Sequence, residues 1–251
     1  MNLNSPQIRQ ERLCEKLREG APLSIPEIAD DLGISVDTVR RDLIALEQRG
    51  LARRVRGGAM PVIEKMPGYL MRAQTADPVL HNLAQRAVAL LNGDETIFID
   101  AGTTMNAIAQ RLPSDFTGVV ITPAPSVALA ALGVGANVHL LGGALCPEGA
   151  MATGGATEDA VRNIAANVCF LGACGLWADF GLSAEDAGEA GVKRAMALAS
   201  AKSVVVTSAS KFDRVGRHRV LAVDEIDTVV TDADDPEVEM LRTAGVEVLS
   251  G

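Results

Sequence analysis

The 251-residue sequence predicts an α/β protein with a small helical head and a larger body built on a parallel sheet. Two observations carry that expectation. From Asp77 onward, short β-rich runs alternate with amphipathic segments, the pattern of strand–crossover–strand units whose sheet is covered on both faces. Before that point the pattern is different: three short helical stretches and an arginine-rich hairpin. Charge divides the chain at nearly the same place. Residues 1–60 hold 10 Lys and Arg against 9 Asp and Glu, a net +1, whereas residues 61–251 hold 13 against 23, a net −10.

In the head, Pro6–Glu19 spaces Ile8, Leu13 and Leu17 as one helical face, and Gly20 ends it. Ser24-Ile25-Pro26-Glu27 reads as a capping box, with proline in the tolerant first turn. The helix it opens runs over Ile25–Leu32 and stops at Gly33. Ser35 caps a third helix, Val36 to Gln48. There Val36, Val39, Leu43 and Leu46 fall on one stripe and are expected in the core. Two helices joined by Gly33-Ile34-Ser35 make a helix-turn-helix, whose second helix enters the DNA major groove with its N-terminal residues leading. Those residues are Ser35, Asp37, Thr38, Arg40 and Arg41, and arginine can bond guanine edges or phosphates. Leu51–Met60 then reads as a basic wing. Arg53, Arg54 and Arg56 are expected on one face, against the DNA backbone or minor groove. Arg40 to Gly58 holds six arginines against Asp42 and Glu47, a local +4.

The stretch 61–77 contains prolines, Gly68 and no periodicity, and is expected to be a linker between a head over 1–60 and a body over 78–251. In the body the expected strands are Thr96–Ile99, Val119–Thr122, Val138–Leu141, Val168–Leu171, Val204–Thr207, Thr228–Thr231 and Val246–Leu249. Helices are expected over Val79–Leu91, Met105–Leu112, Ser126–Leu132, Thr157–Ala165, Ala184–Ala201 and Pro236–Ala244. Ligands of such sheets bind beyond the carboxyl ends of the strands. Asp100-Ala101-Gly102-Thr103-Thr104 is such an end. Gly102 lets the backbone approach a ligand, and the two threonines can surround an anion at a helix start. An ordinary capped helix is the alternative. Gly142-Gly143 and Lys211 follow other strands, whereas Lys193 could simply form an i,i+4 pair with Glu189.

Composition excludes several classes. Aromatic residues are 3% of the chain, too few for stacking platforms along single-stranded nucleic acid. No apolar run is long enough to span a bilayer, and the first twenty residues lack the apolar core of a secretory signal, so a cytoplasmic protein without membrane contact is expected. Cys14, Cys146, Cys169 and Cys174 form no CxxC pair, and His81, His139 and His218 lie far from them. Neither a metal site nor a disulfide framework is expected, and no cofactor motif is read.

Ser35–Leu43, Leu46–Leu51 and Arg53–Gly58 closely resemble the signature of the DeoR family of bacterial transcriptional regulators. The likeness continues through Phe98–Thr104, Leu141–Gly143, Phe170–Ala173, Gly181–Ser183, Glu189–Met196, Ser210–Phe212 and Ile226–Asp232. It implies a winged helix-turn-helix followed by a domain similar to the ribose-5-phosphate isomerase and CoA-transferase fold. It also implies a homodimeric or homotetrameric repressor of a sugar or polyol operon, binding double-stranded operator DNA and released by a phosphorylated metabolite rather than acting as an enzyme. The implied effector site is Gly102, Thr103 and Thr104 with Lys211, Lys193 and Asp100, flanked by Thr122, Gly142 and Gly143. Two departures stand out. Thr122-Pro123-Ala124 replaces the family's Thr-Asn-Ser, and Ala173-Cys174-Gly175-Leu176-Trp177 lacks the two carboxylates of Ala-Asp-Gly-Ile-Asp. An isomerase or CoA-transferase carrying a DNA-binding head is the competing expectation. It requires a carboxylate base, and Gly172–Trp177 supplies none.

Overall fold

The computed structural model describes residues 5–18, 23–61, 67–75, 77–212, 214–234 and 238–250. Gly20, Pro236 and the linker residues 62–66 lie outside them. The chain folds as two compact units, Met1–Met66 and Pro67–Gly251.

The first unit contains α1 (Pro6–Arg18), β1 (Leu23–Ser24), α2 (Ile25–Leu32), α3 (Val36–Gln48), β2 (Ala52–Val55) and β3 (Gly58–Pro61). Gly33 terminates α2 in the left-handed region at φ +61, and its N–H and that of Ile34 return to the last turn. Ser35 caps α3, its hydroxyl accepting from the Thr38 N–H at 3.2 Å. Ser24 occupies the N-cap position of α2, but its side chain makes no cap bond. Instead its backbone joins a sheet ordered β1–β3–β2, and the following amide, Ile25 N–H, bonds the Gly57 carbonyl at 2.8 Å. The capping box read from the sequence is therefore a strand-to-helix junction. Gly58 must be glycine, since a Cβ there would lie 1.8 Å from the Leu23 carbonyl oxygen.

Leu13, Leu17, Ile28, Leu32, Val39, Leu43 and Leu46 form one buried cluster. Val36, expected within it, is instead 38% exposed. As the first residue of α3 it borders a surface cleft, with Ile25 and Pro26 of α2, rather than the packed interior. A group the sequence did not suggest is Asp42, buried in α3 and held by Arg9 of α1 through Nε at 2.7 Å and Nη2 at 3.3 Å. This bidentate pair ties the first helix to the third.

The second unit contains α4 (Tyr69–Arg72), α5 (Pro78–Val88), β4 (Thr96–Ile99), α6 (Thr103–Ala109), β5 (Val119–Thr122), α7 (Pro125–Gly133), β6 (Asn137–Leu140), β7 (Ala144–Cys146), β8 (Met151–Thr153), α8 (Gly155–Arg162), β9 (Ala166–Gly172), β10 (Gly175–Trp177), β11 (Gly181–Ala184), α9 (Ala187–Leu198), β12 (Ser200–Val206), β13 (His218–Leu221), β14 (Thr228–Thr231), α10 (Glu239–Thr243) and β15 (Glu247–Ser250). Seven strands form a sheet ordered β15–β14–β12–β9–β4–β5–β6, with every neighbouring pair parallel. Its central strands are buried on both sides, which is why Ile97-Phe98-Ile99 and Val204-Val205-Val206 read as unbroken apolar runs. The antiparallel sheet β10–β11–β13 and the hairpin β7–β8 were not expected from the sequence. The order of the large sheet reverses at β4. The chain proceeds from β4 to β5 and β6 on one side, then crosses to place β9 on the other. A crevice is expected beyond the carboxyl ends of strands at such a switch point.

Candidate functional site

In the first unit, α3 and the wing present one polar surface. Asp37, Arg40 and Arg41 are exposed and Thr38 is half-buried. Asp37 orders its neighbours: Arg40 reaches its carboxylate at 3.0 Å and Arg41 Nε donates to its carbonyl at 3.2 Å. The hydroxyls of Ser35 and Thr38 share a hydrogen bond of 2.9 Å. Arg53 and Arg54 are consecutive in β2 and so project to opposite sides, which overturns the expected single face of wing arginines. Arg54 and Arg56 are exposed and Arg53 is half-buried. Glu47 of α3 steadies the wing by accepting from the Arg54 amide at 3.1 Å. Between helix and wing runs a cleft of about 350 Å³, lined in part by Val36, Arg40, Ile44, Arg54 and Gly57. Its apolar members, Val36 and Ile44, are of a kind that meets thymine methyl groups in a major groove.

In the second unit, the switch point holds a buried charge cluster. Asp100, at the end of β4, is fully buried. Its Oδ2 accepts from the Gly172 N–H at the end of β9 at 2.9 Å and from the Lys193 ammonium of α9. Lys193, 2% exposed, also donates to the Gly172 carbonyl at 3.0 Å and lies 3.4 Å from the carboxylate of Glu189, itself 4% exposed. Asp100 Oδ1 is buried without a hydrogen-bond partner among the described residues. Burial alone would pull the Lys193 ammonium toward neutrality, but the charges of Asp100 and Glu189 outweigh it and hold its pKa above the usual value. Burial raises Glu189 against the pull of Lys193. The surface Glu–Lys pair weighed from the sequence is thus an interior one.

Beside this cluster, Gly102 adopts φ +107 at the N-cap of α6, and Thr103 and Thr104 open the helix half-buried. No side chain caps α6, because Asp100 turns to β9 instead. Lys211 follows β12 in a short turn pinned by Asp232, which accepts from the Ala209 amide at 2.8 Å. Burial, and then the charges of Arg214 and Arg72, lower its pKa to about 8. A cation so placed favours an anionic neighbour.

The remaining expected residues follow the neighbouring strands β5 and β6. Thr122, buried at the end of β5, spends its hydroxyl on the Ala124 amide at 3.1 Å. The Gly142 carbonyl takes the Thr157 hydroxyl at 2.8 Å, and a Cβ on Gly143 would lie 2.2 Å from that same oxygen. These contacts give both glycines a packing role. The sequence reading missed the interior place of Glu189, for which a signal existed: Glu189, Val192, Lys193 and Met196 share one helical stripe. Among the described residues, no group of three or more His, Cys, Asp or Glu side chains is arranged to hold a metal ion. No described helix is long and apolar enough to cross a membrane.

Comparison with known proteins agrees with this division. The DeoR-like helix-turn-helix domain matches residues 9–64 and the DeoR C-terminal sensor domain matches residues 81–233. The transcriptional regulator GlpR of Haloferax volcanii is 33% identical over 250 residues, covering 98% of each chain. The glycerol-3-phosphate regulon repressor of Haemophilus influenzae is 29% identical over 232 residues, covering 92% of this chain and 90% of its own. The transcriptional repressor GlcR of Bacillus subtilis is 25% identical over 248 residues, covering 96% of each. Among solved structures, ribose 5-phosphate isomerase A of Methanocaldococcus jannaschii covers 53% of each chain at 15% identity and a TM-score of 0.40. With a DNA-binding head and a sensor body both matched, the chain belongs to the DeoR family of transcriptional regulators.

Proposed function

We propose that the protein is a repressor of a sugar or polyol catabolic operon, released from its operator by a phosphorylated metabolite. Ser35, Asp37, Thr38, Arg40 and Arg41 read the major groove, while Arg54 and Arg56, on the exposed face of the wing, hold the DNA backbone. The effector lies over Gly102, Thr103 and Thr104, with Lys211 and the Asp100–Lys193 pair beside it and Thr122, Gly142 and Gly143 on its flank. One observation carries this reading. At the switch point of the sheet, a buried carboxylate oxygen lacks a donor while Lys211 is held among other cations. A ligand hydroxyl would supply the donor that this oxygen lacks, and an anionic group would favour the charged form of Lys211. The names of two relatives, a glycerol-3-phosphate regulon repressor and the repressor GlcR, support the same class of function.

Turnover is not part of this reading. Both buried carboxylates are engaged by Lys193, and the loop Gly172–Trp177 holds no acid. The regulator acts in the cytoplasm as a homodimer or homotetramer, since paired heads read paired half-sites. The test is fluorescence anisotropy of the full chain on DNA from upstream of its own gene cluster. A panel of sugar and polyol phosphates and their unphosphorylated parents is added, and each compound is recovered afterwards. At least one phosphate ester should release the DNA and be recovered unchanged while its parent does nothing. Release by the parent at equal concentration, or conversion of the ester, would overturn the proposal.

A further inference from the structure

We propose that β6, the open edge strand of the large sheet, is where a second copy of this chain docks, the two β6 strands pairing antiparallel about a two-fold axis at His139. The inference rests on the paired-head reading above and names the surface that serves it.

The sheet has two edges, and they are built differently. β15 is guarded by charge: Arg86 donates to the Ser250 carbonyl at 3.0 Å, and Glu247 bonds Lys202 at 3.2 Å. Charged groups at an edge discourage pairing with another chain. β6 has no such guard. Between Asp115 and Glu148 the sequence contains no Lys, Arg, Asp or Glu, although residues 61–251 carry a net −10. That stretch forms β5, α7, β6 and β7. Leu140 of β6 is 47% exposed. Leu129 and Leu132 of α7, the helix packed on β5 and β6, are 71% and 55% exposed. Two acidic bodies repel one another at their charged faces, and on this face they meet without like charges. A patch that is the same on both partners closes as a two-fold dimer.

The backbone fixes the register. The Leu141 N–H bonds the Thr122 carbonyl of β5 at 2.9 Å. By strand alternation His139 also turns its backbone groups to β5, while those of Val138 and Leu140 point out of the sheet. Among the described residues no other strand pairs with β6. Centring the pair on His139 sets Val138 against Leu140 of the second copy, and Leu140 against its Val138, each pair exchanging both backbone hydrogen bonds. Centring it one residue earlier requires the Ala136 amide, which is spent on the Ala131 carbonyl at 3.1 Å. Centring it one residue later requires the Gly142 carbonyl, which takes the Thr157 hydroxyl at 2.8 Å. At the His139 register the two exposed imidazoles face each other, their Cα atoms about 4.5 Å apart.

Sedimentation velocity of the full chain tests this, with His139→Glu, His139→Lys, an equal mixture of the two, His139→Cys and Asn137→Cys. His139 is exposed in the single chain, so its substitution leaves the unit folded. Wild type should sediment as a dimer or tetramer. Each charged variant should lose one association step, its dissociation constant rising about 10- to 100-fold as two like charges meet within about 5 Å. The mixture should regain the wild-type constant. Under mild oxidation His139→Cys should cross-link two chains, since a Cα separation of about 4.5 Å suits a disulfide. Two copies of Asn137→Cys lie roughly 14 Å apart along the ladder and should not exceed the background of the native cysteines. If the charged variants associate as tightly as wild type, the edge assignment falls and the paired-head reading stands. If they dissociate but the mixture does not recover and His139→Cys does not cross-link, the His139 axis falls and the proposal with it. If wild type stays monomeric at concentrations that saturate the operator, the paired-head reading itself fails and takes this inference with it.

Discussion

Replacing Lys193 with methionine removes the cation that neutralises two buried carboxylates. The side chain is 2% exposed, and its ammonium meets Asp100, Glu189 and the Gly172 carbonyl. Methionine fills similar space, so the loss is electrostatic rather than a cavity. Breaking a buried ion pair from one side costs about 3–5 kcal/mol. That is a large part of the roughly 5–15 kcal/mol by which a folded domain exceeds its unfolded state. For a unit of this size the midpoint should fall by about 6–20 °C. The single tryptophan, Trp177 in β10, makes the assay selective, because urea unfolding followed by its fluorescence reports the sensor unit alone. With lysine gone, repulsion and burial raise the carboxyl pKa values above their unfolded ones. The folded state then holds more protons than the unfolded state, so the deficit should shrink as pH is lowered from 7.5 to 5.5. Adding Asp100→Asn should restore part of the loss. A variant within about 1 kcal/mol of wild type, below the lower bound for a broken buried pair, or with the same deficit at both pH values, would refute the assignment of a charged interior cluster.

Further predictions concern both units. Arg41→Ala should cost about 1–3 kcal/mol at the operator and relax specificity at one base, whereas Arg54→Ala should weaken all sequences alike and lower the salt slope by about one. Anisotropy across a salt series separates the two, and unchanged affinity in an Arg40→Ala/Arg41→Ala double variant counts against the interface. In the empty protein Lys211 loses its proton near pH 8, and a bound anion restores its preference for the charged form. Effector affinity should therefore be level below about pH 8 and fall above it, with a proton taken up on binding. Calorimetry in buffers of different ionisation heat measures this, and a flat profile from pH 7 to 10 contradicts it. Ala150 sits at φ +52, so Ala150→Gly should stabilise the sensor by about 0.5–1 kcal/mol in urea titrations, left-handed strain relieved less unfolded-chain entropy gained. Asp42→Ala, which removes the carboxylate that Arg9 holds in the head, should cost about 1–3 kcal/mol, visible as loss of helical circular dichroism in the first unit before Trp177 responds.

The large sheet was legible because strands buried on both faces must be apolar without interruption. Thr96–Ile99, Val119–Thr122 and Thr228–Thr231 appear where the sequence put them. The hairpin β7–β8 and the sheet β10–β11–β13 were not legible. Their strands are mostly three or four residues long and rich in glycine and alanine, too short for a period of two to register. Val36 fits the core stripe of its helix by angle alone, yet at the start of α3 it borders an open cleft rather than the core. The burial of Asp42 and Glu189 was hard to read for a related reason. A carboxylate on an apolar stripe is buried only if a cation arrives from elsewhere. Arg9 comes from another helix and Lys193 from the next turn of the same one. Asp100, Gly102, Thr103 and Lys211 were legible as strand ends, whereas the short helix α4 was hidden in a stretch that reads as linker.

The reversal of strand order at β4 also governs how the body can be synthesised. When β4, β5 and β6 have left the ribosome, one edge of β4 still has no partner. That edge is covered only when β9 arrives, after the hairpin and α8 have been made. Until then the nascent sheet exposes backbone able to pair with other chains, while the compact head, built from local contacts, can already fold. A product ending before Gly172 would lack three of the seven strands of the sheet and also the amide that holds Asp100. It would retain a complete DNA-binding head with nothing to sense the effector, so premature termination in the body should yield a permanently bound or aggregating repressor rather than an inert fragment.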